Sequence, residues 1–293
     1  MKKLLLILNP ASGTKKASKR LSEIISVFNR ADFATQVFVT EKSGDATRAV
    51  ITHGKDAELI VCCGGDGTLN ETVTGLLTAG LETPIGYIPS GSTNDFANSL
   101  KLPTDVVRAA RQIVSGSPTA YDVGTFGERF FTYVASFGAF TKTSYETPQN
   151  IKNTFGHMAY ILEGIQELSG IRREHIKIEA DSECFEDNYL FGAICNSRSI
   201  GGILTLSPDL VDMSDGKFEI LLVRAPREVS ELSECILALK HQTYNCGMIT
   251  FRSASSLTVS ASADMTWSLD GERADGAEKI HIKNLPRKIT LIH

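Results

Sequence analysis

The sequence predicts an α/β protein of two domains, in which a doubly wound, mainly parallel sheet is followed by a mainly antiparallel β-sandwich. Strand and helix patterns alternate over residues 4–114, as in parallel sheets covered by helices. Short strands with few helices dominate the remainder. We therefore expect domains at residues 1–120 and 121–293, with the last strand a candidate to return to the first domain.

Elements of the first domain follow one another in strand–helix order. Apolar runs predict strands at residues 4–8, 36–40, 59–63 and 85–88. Helical spacing and end signals predict helices at residues 17–28, 45–53, 69–79, 94–100 and 106–114. Ligands of such sheets bind beyond the carboxyl ends of the strands. One site is therefore expected from the loops at residues 9–13, 40, 64–68 and 89–95.

The second domain is predicted to consist mainly of strands. They are expected at residues 130–137, 175–180, 190–195, 217–223, 248–251, 257–260, 279–282 and 288–292. Alternating polar and apolar residues, as in His175-Ile176-Lys177-Ile178-Glu179, are typical of strands. Helices are expected only at residues 155–168 and 227–241. Strands with few crossover helices favour an antiparallel arrangement.

Composition and charge limit the classes of function that the chain can have. The chain has 293 residues, 42% of them hydrophobic, and a net charge of −4, so it lacks the basic character usual in nucleic-acid-binding proteins. No apolar run reaches the length of a membrane span, and the run at residues 4–8 is too short for a signal peptide. We expect a cytoplasmic protein, peripheral to the membrane, whose six cysteines are free thiols.

The most informative motif is the loop Gly64-Gly65-Asp66-Gly67-Thr68, between a predicted strand and a predicted helix. Its glycines allow a sharp turn and the close approach of a ligand, and the following helix N-terminus suits a phosphate. Asp66 is a candidate to hold a magnesium ion or a hydroxyl group. Thr68 and Glu71 have the spacing of a capping box, so the helix is expected to begin here. The alternative is an ordinary tight turn.

Two further loops carry residues suited to a ligand. In residues 9–15, Pro10 and Gly13 shape a tight turn and Lys15 is a candidate to reach a phosphate, although the Walker A pattern is absent. Residues 89–97 combine hydroxyls, an amide and a carboxylate, which suits a nucleotide or magnesium-bound water. The alternatives are a plain strand-to-helix turn in the first loop and a capping box of Ser92 with Asp95 in the second.

A pair of acids late in the chain is a candidate for proton transfer. On an extended segment, Asp270 and Glu272 point to the same side, and their repulsion would raise the pKa of one of them. A carboxyl group of that kind is a candidate general base. The alternative is a solvated hairpin turn, because Asp-Gly is a common turn signal.

These motifs, in their order along the chain, resemble the diacylglycerol kinase catalytic-domain family. The matching stretches are Asn9-Pro10-x-x-Gly13, the loop at residues 64–68, Gly91-x-Thr93-Asn94-Asp95-x-Ala97 and Asp270-Gly271-Glu272. The resemblance covers essentially the whole chain and implies an active site in the cleft between the domains. It also implies that ATP is held by Asn9, Pro10, Ala11, Ser12, Gly13, Thr40, Gly64, Gly65, Asp66, Gly67, Thr68 and Thr93.

The same resemblance implies a set of residues around the transferred phosphate. They are Lys15, Asp66, Asp95, Asp122, Asp270 and Glu272. The first two aspartates would belong to a magnesium–water network, and the third would pair with lysines. Lys15 is one of these lysines, and Lys152 is the candidate for the second. The last two acids match residues with general-base duty.

A second magnesium ion, with a structural role, is implied in the second domain. The matching stretch is Asp212-Met213-Ser214-Asp215-Gly216-Lys217-Phe218. The Asp215 side chain would bind this ion together with backbone carbonyls near Asp212 and Phe218. Oxygen ligands and retained waters are what magnesium prefers.

The function implied by the resemblance is that of an ATP- and Mg²⁺-dependent lipid kinase, which transfers the γ-phosphoryl group to the hydroxyl of a lipid such as diacylglycerol. A sphingoid base or phosphatidylglycerol fits the sequence equally well as the acceptor. Two alternatives are a NAD kinase, which shares the glycine-rich loop, and a non-catalytic lipid- or nucleotide-binding module. The sequence leaves a homodimer open.

Overall fold

A computed structural model of the chain describes residues 1–13, 15–138, 173–200, 204–241, 243–244 and 246–293. The chain divides into two compact units. The N-terminal unit comprises Met1–Val123 and Pro286–His293, and the C-terminal unit comprises Gly124–Leu285. Thr14, Lys152 and the helix expected at residues 155–168 lie outside the described residues.

The N-terminal unit contains a parallel sheet. Its strands are β1 (Lys2–Leu8), β2 (Phe33–Val39), β3 (Leu59–Gly64) and β4 (Ile85–Pro89). They are ordered β2-β1-β3-β4, and each neighbouring pair is parallel. Beyond β4, Leu291 from the end of the chain pairs with Ile85. The carboxyl ends of the four strands therefore meet at one edge, where ligands of such sheets bind.

Helices cover this sheet. They are α1 (Lys16–Lys19), α2 (Leu21–Arg30), α3 (Asp45–His53), α4 (Asp66–Thr78), α5 (Asp95–Ser99) and α6 (Val106–Ser115), with a 3₁₀ turn at Gly54–Asp56. The single helix expected at residues 17–28 is wrong, because Arg20 leaves helical geometry at φ −113° and ψ 20°. The Arg20 guanidinium forms ion pairs with Glu23 and with Asp105, the N-cap of α6.

The core of the N-terminal unit lies around its central strands. Residues 4–8 of β1 are all buried, as expected for a parallel strand with helices on both faces. On one face, Leu6 and Val61 pack in a cluster with Ile24 and Phe28 of α2 and with Ile113 of α6. Apolar helix residues spaced by four positions therefore close one side of the sheet.

The C-terminal unit is mainly antiparallel. Its strands, the first and last of which cross the unit boundary, are β5 (Pro118–Phe126), β6 (Arg129–Phe131), β7 (Val134–Gly138), β8 (Glu174–Ala180), β9 (Glu183–Cys195), β10 (Ser199–Ile200), β11 (Leu204–Thr205), β12 (Phe218–Arg224), β13 (Ile249–Ala254), β14 (Ser256–Ser260), β15 (Trp267–Leu269), β16 (Glu272–Ala274) and β17 (Lys279–Ile292). The order is β16-β15-β7-β9-β8-β14-β17, and β12 pairs with β9 and β13. A 3₁₀ turn at Pro208–Leu210 and the helix α7 (Val229–Lys240) complete the described elements.

Aromatic rings fill the core of the C-terminal unit. Trp267 lies between Phe126 and Phe137, with both ring centroids 4.9 Å from its own in edge-on geometry. Phe131 and Phe218 stack at 5.4 Å in the same cluster. Such contacts favour one arrangement of the strands that carry the rings. Within the described part of the chain, no helix is long and apolar enough to cross a membrane.

Candidate active site

Three loops of the N-terminal unit are joined by side-chain hydrogen bonds. They follow β1, β3 and β4, whose carboxyl ends are neighbours in the sheet. The Asn9 amide donates to the Thr68 hydroxyl at 3.0 Å, and the hydroxyls of Ser12 and Ser90 are 2.7 Å apart. Residues 9–13, 64–68 and 89–95 thus form one surface at the expected edge of the sheet.

Glycine is required where these loops touch. A β-carbon on Gly91 would lie 2.6 Å from the Gly65 α-carbon, and one on Gly13 would lie 2.3 Å from the Ser90 carbonyl oxygen. Gly13 also has φ 49°, in the left-handed region that favours glycine. At these two positions the missing side chain allows one loop to approach another.

Two of the predicted site acids, Asp66 and Asp95, are brought together. Asp66 is the first residue of α4, and its carboxylate accepts the backbone N–H groups of Asp95 at 2.9 Å and Phe96 at 3.2 Å. Both aspartates are buried, Asp95 almost completely. Asp66 therefore caps helix α5 from another element, which satisfies N–H groups that a helix start leaves unpaired.

The capping box of Ser92 with Asp95, the alternative for this loop, does not form. Asn94 occupies the N-cap position of α5 with φ 52°, and its side chain forms no capping hydrogen bond. The Asn94 amide instead closes on Gly91, accepting from its N–H and donating to its carbonyl, both at 2.9 Å. The loop is therefore closed by its own amide side chain, while its helix is capped by Asp66.

The capping box expected for Thr68 with Glu71 is also wrong. Helix α4 begins at Asp66, two residues before Thr68, and has no side-chain cap at Gly65. The Glu71 carboxylate accepts hydrogen bonds from Ser43 and Gly44, in the connection between β2 and α3, and from the N–H of Ala46 in α3. That connection begins with Thr40, a predicted ATP contact, which is buried and donates its N–H to the Leu8 carbonyl at 2.9 Å.

Asp122 and Lys15 occupy different environments within the N-terminal unit. Asp122 is fully buried and accepts the backbone N–H of Arg287 at 2.7 Å. Lys15 is exposed, with φ 58°, and its N–H binds the Ser12 carbonyl at 3.1 Å. The pairing of Asp122 with lysines stays a prediction.

Asp270 is held by a dense set of donors in the C-terminal unit. Its carboxylate accepts the N–H and the hydroxyl of Thr132 at 2.5 and 2.7 Å, the N–H of Tyr133 at 2.9 Å and the N–H of Val134 at 3.0 Å. These N–H groups lie where the chain breaks between β6 and β7, so the single strand expected at residues 130–137 is wrong. The break supplies donors that a continuous strand would use in its ladder.

The expectation that Asp270 and Glu272 face the same side is wrong. Asp270 and Gly271, with φ 50° and 84°, form the two-residue turn between β15 and β16. This is the hairpin turn that the Asp-Gly pair indicated as the alternative. Asp270 is buried within this turn, whereas Glu272 is exposed at the start of β16. Burial is the leading cause that raises the pKa of Asp270, and the hydrogen bonds from Thr132 and its neighbours oppose it.

The predicted structural metal site is a tight turn in the C-terminal unit. The Asp212 carboxylate accepts from the N–H of Ser214 at 2.9 Å, and Asp215 accepts from the N–H of Lys217 at 2.9 Å. The adjacent Glu219 is buried, one of its oxygens has no partner, and burial and Asp215 raise its pKa to about 8. Among the described residues, no three His, Cys, Asp or Glu side chains are arranged to hold a metal.

Two family models match the chain. Residues 3–126 match the diacylglycerol kinase catalytic domain, and residues 135–293 match the YegS C-terminal NAD kinase beta sandwich-like domain. Together these matches confirm the predicted class, in which an α/β part precedes a β-sandwich part.

Relatives with assigned names resemble nearly the whole chain. It is 31% identical to a diacylglycerol kinase of Bacillus subtilis (strain 168), over 93% of this chain and 90% of the relative. A Staphylococcus saprophyticus diacylglycerol kinase is 33% identical, over 92% and 89%. A Bacillus anthracis str. Sterne diacylglycerol kinase structure shares the fold, with a TM-score of 0.76, 24% identity and coverage of 100% and 97%. The chain therefore belongs to the diacylglycerol kinase family and is an ATP-dependent lipid kinase.

Proposed function

We propose that this protein transfers the γ-phosphoryl group of ATP to the hydroxyl group of diacylglycerol. The observation that carries the proposal is the extent of the similarity, since diacylglycerol kinases from two genera match more than nine-tenths of the chain at 31% and 33% identity. The joined loops of the N-terminal unit support the nucleotide part of the reaction. In this proposal residues 1–120 bind the nucleotide, and residues 121–293 receive the lipid except for the end of the last strand, which returns to the N-terminal unit.

The triphosphate of ATP binds at the joined loops. Backbone N–H groups of residues 64–68 and the N-terminus of the 13-residue helix α4 favour negative charge there. The contacts come from Asn9, Pro10, Ala11, Ser12, Gly13, Thr40, Gly64, Gly65, Asp66, Gly67, Thr68 and Thr93. Binding of this kind positions the γ-phosphoryl group, which supplies much of the catalysis in phosphoryl transfer.

Magnesium fits the acids of the N-terminal unit. Asp66 and Asp95 are neighbours, and their carboxylate oxygens are of the type that binds Mg²⁺ or its waters. Mg²⁺ prefers oxygen ligands and retains water, and when bound it neutralises charge on the transferred phosphate. Asp66 and Asp95 orient its water shell, and Asp122 fixes Lys15 beside the same phosphate.

Glu272 is the general base, and Asp270 is a positioning residue. A carboxylate offers about four acceptor positions, and Asp270 receives at least four hydrogen bonds. Its role is to hold the turn that presents Glu272, which is exposed. The proton of the acceptor hydroxyl passes to the Glu272 carboxylate as the oxygen attacks phosphorus.

The turn at residues 212–218 binds a second, structural magnesium ion. Asp215 supplies a carboxylate oxygen, and Asp212 and Phe218 supply backbone carbonyls. The buried, unpartnered oxygen of Glu219 supports the assignment, because a cation nearby would offset its charge and that of Asp215. The ion holds the turn in one conformation.

The acceptor lipid is reached by peripheral contact with the cytoplasmic face of a membrane. Diacylglycerol partitions into bilayers, so an enzyme that acts on it must bind it at that surface. A homodimer is compatible with the reaction and is not required by it.

A lipid kinase assay tests this function. Purified protein is incubated with Mg²⁺, labelled ATP and mixed micelles that contain diacylglycerol, a sphingoid base or phosphatidylglycerol, or with NAD in solution. We expect labelled phosphatidic acid as the main product. Label only in the product of another lipid would overturn diacylglycerol as the acceptor. Label only in NADP would overturn the lipid as the substrate, and binding without turnover would favour the non-catalytic alternative.

A further inference from the structure

We propose that Glu71 is a positioning residue that holds residues 40–46, which are the connection between β2 and α3 and the first two residues of α3, in the conformation that binds ATP. The inference deepens the proposed function and rests on its assignment of Thr40 as an ATP contact. Glu71 lies on α4, the helix that begins with Asp66 in the glycine-rich loop. One helix thus carries a site acid at its start and, five residues later, the anchor of a neighbouring loop.

The anchor is a set of three hydrogen bonds to one carboxylate. One Glu71 oxygen accepts the Ser43 hydroxyl at 3.0 Å and the Gly44 N–H at 2.8 Å. The other oxygen accepts the Ala46 N–H at 3.1 Å. Hydrogen bonds to an ionised group are about twice as strong as neutral ones. These hydrogen bonds therefore fix the end of the connection and the start of α3 to α4.

Helix α3 needs this carboxylate because it has no cap of its own. Its N-cap is Gly44, with φ 84° and no side chain to accept a hydrogen bond. Gly44 and Ala46 flank the first residue of the helix, where backbone N–H groups lack partners. Glu71 satisfies both groups and places negative charge at the positive end of the helix dipole. Its removal would free the start of α3.

The same connection is also held together by hydrogen bonds within it. Asp45 is buried, and one of its oxygens accepts the N–H groups of Glu41 at 2.9 Å and Lys42 at 3.1 Å. Those hydrogen bonds, the one from Glu41 first, lower the pKa of Asp45. Residues 41–45 are thus closed on themselves, and Glu71 links that piece to α4. Thr40 immediately precedes residues 41–45 and is therefore held in place with them.

The contact between α3 and α4 further along is independent of the Glu71 side chain. The Thr47 hydroxyl donates to the Glu71 backbone carbonyl at 2.9 Å, and a β-carbon on Gly75 would lie 2.7 Å from the Thr47 carbonyl. A change of the Glu71 side chain therefore leaves the helix pair packed. Its effect should be confined to the connection before α3.

Glu71→Gln tests the proposal. The glutamine oxygen can still accept from Ser43 and Gly44, but its amide group would face the Ala46 N–H as donor against donor. Isothermal titration calorimetry should show ATP bound about tenfold more weakly, as expected when a charge-assisted hydrogen bond is lost. KM for ATP should rise equally, with kcat within about twofold. Ser43→Ala, which removes one hydrogen bond, should weaken ATP binding about threefold.

Glu58→Gln is the matched control. Glu58 also accepts a backbone N–H, that of Lys3 at 3.3 Å, and lies in the same unit just before β3. Its substitution should leave ATP affinity unchanged. Hydrogen exchange should be faster at Gly44 and Ala46 in Glu71→Gln than in the wild type and unchanged in Glu58→Gln.

The outcomes separate this inference from the proposed function. Wild-type ATP affinity in Glu71→Gln would overturn the role of Glu71, whether or not a lipid is phosphorylated. Weaker ATP binding in the variant, with no phosphorylation of diacylglycerol by the wild type, would support Glu71 and overturn the acceptor. If circular dichroism shows that Glu71→Gln is unfolded, Ser43→Ala decides, and unchanged ATP affinity in that folded variant would overturn the proposal.

Discussion

The carboxylate of Asp66 accepts the backbone N–H of Asp95 at 2.9 Å, so one predicted site acid caps the helix that begins with the other. The contact that brings the two acids together is also a contact that stabilises the fold. A substitution of Asp66 should therefore change stability and turnover at the same time. Experiments on this site need controls that separate the two effects.

Asp66→Asn should lower kcat by about 10² or more, because the proposed phosphate site loses a charge that acts in the transition state. Asparagine keeps one acceptor oxygen, but its amide would face the N–H of Asp95 or Phe96. We therefore expect a loss of about 1–3 kcal/mol in the free energy of unfolding. Chemical denaturation and a lipid kinase assay on the same sample measure the two quantities.

Asp105→Ala is the control for Asp66→Asn. Asp105 caps α6 by accepting the N–H groups of Val107 at 3.1 Å and Arg108 at 2.9 Å, and no site role is predicted for it. Removal of such a cap typically costs about 1 kcal/mol. The control should lose stability and keep its kcat. An equal fall of kcat in both variants would assign the effect of Asp66 to stability alone.

The sequence was sufficient for much of the N-terminal unit because its signals are local. Helix Asp45–His53 follows a glycine and was predicted with the same bounds. The apolar run before the glycine-rich loop was predicted as a buried strand and is β3, which is buried throughout. Such elements need only a hydrophobic pattern and an end signal, which neighbouring residues provide.

Contacts between distant residues were not predictable in the same way. The expected capping box of Thr68 with Glu71 and the alternative one of Ser92 with Asp95 both had the right spacing. In the structure Glu71 instead caps α3, and Asp66 caps α5. A spacing rule identifies an acceptor but cannot tell which helix start the fold brings to it. The donors around Asp270 left no signal either, because most of them are backbone N–H groups of Thr132 and its neighbours.

Magnesium should stabilise the C-terminal unit through Asp215. We expect millimolar MgCl₂ to raise the Tm of the wild-type protein, because a ligand that binds only the folded state stabilises it. Asp215→Ala should lose this increase, and EDTA should remove it from the wild type. Asp264→Ala, in which an exposed acid that accepts from Ser262 is removed, should keep the full increase. An equal Mg²⁺ response in both variants would rule out the Asp215 site.

Acid should selectively remove the contribution of Glu231 to the stability of the folded protein. Hydrogen bonds, foremost from Arg224, lower the pKa of Glu231 from 4.5 to about 2. A lowered pKa means stability that is present above the unfolded value of 4.5 and lost as the pH falls through about 2. The Tm difference between the wild type and Glu231→Gln should therefore be constant from pH 7 to 5 and shrink below about 4.5. Calorimetric scans across this range measure it, and a difference independent of pH would contradict the ion pair. Glu228→Gln controls for the loss of one negative charge at the same helix start.

Glu272→Gln and Asp270→Asn should separate the base from the residue that positions it. Glu272 is exposed, so its amide variant should keep the wild-type Tm, while kcat falls by about 10²–10⁴ and KM for ATP stays constant. Asp270→Asn would place an amide group against the N–H donors of Thr132, Tyr133 and Val134, so stability should fall together with kcat.

Kinetics on diacylglycerol micelles and thermal melts measure kcat and stability. The control for a lost charge in the same unit is Glu278→Gln, since Glu278 is also exposed. Wild-type kcat in Glu272→Gln, combined with a large loss in a folded Asp270→Asn, would transfer the role of base to Asp270, whose pKa is raised by burial.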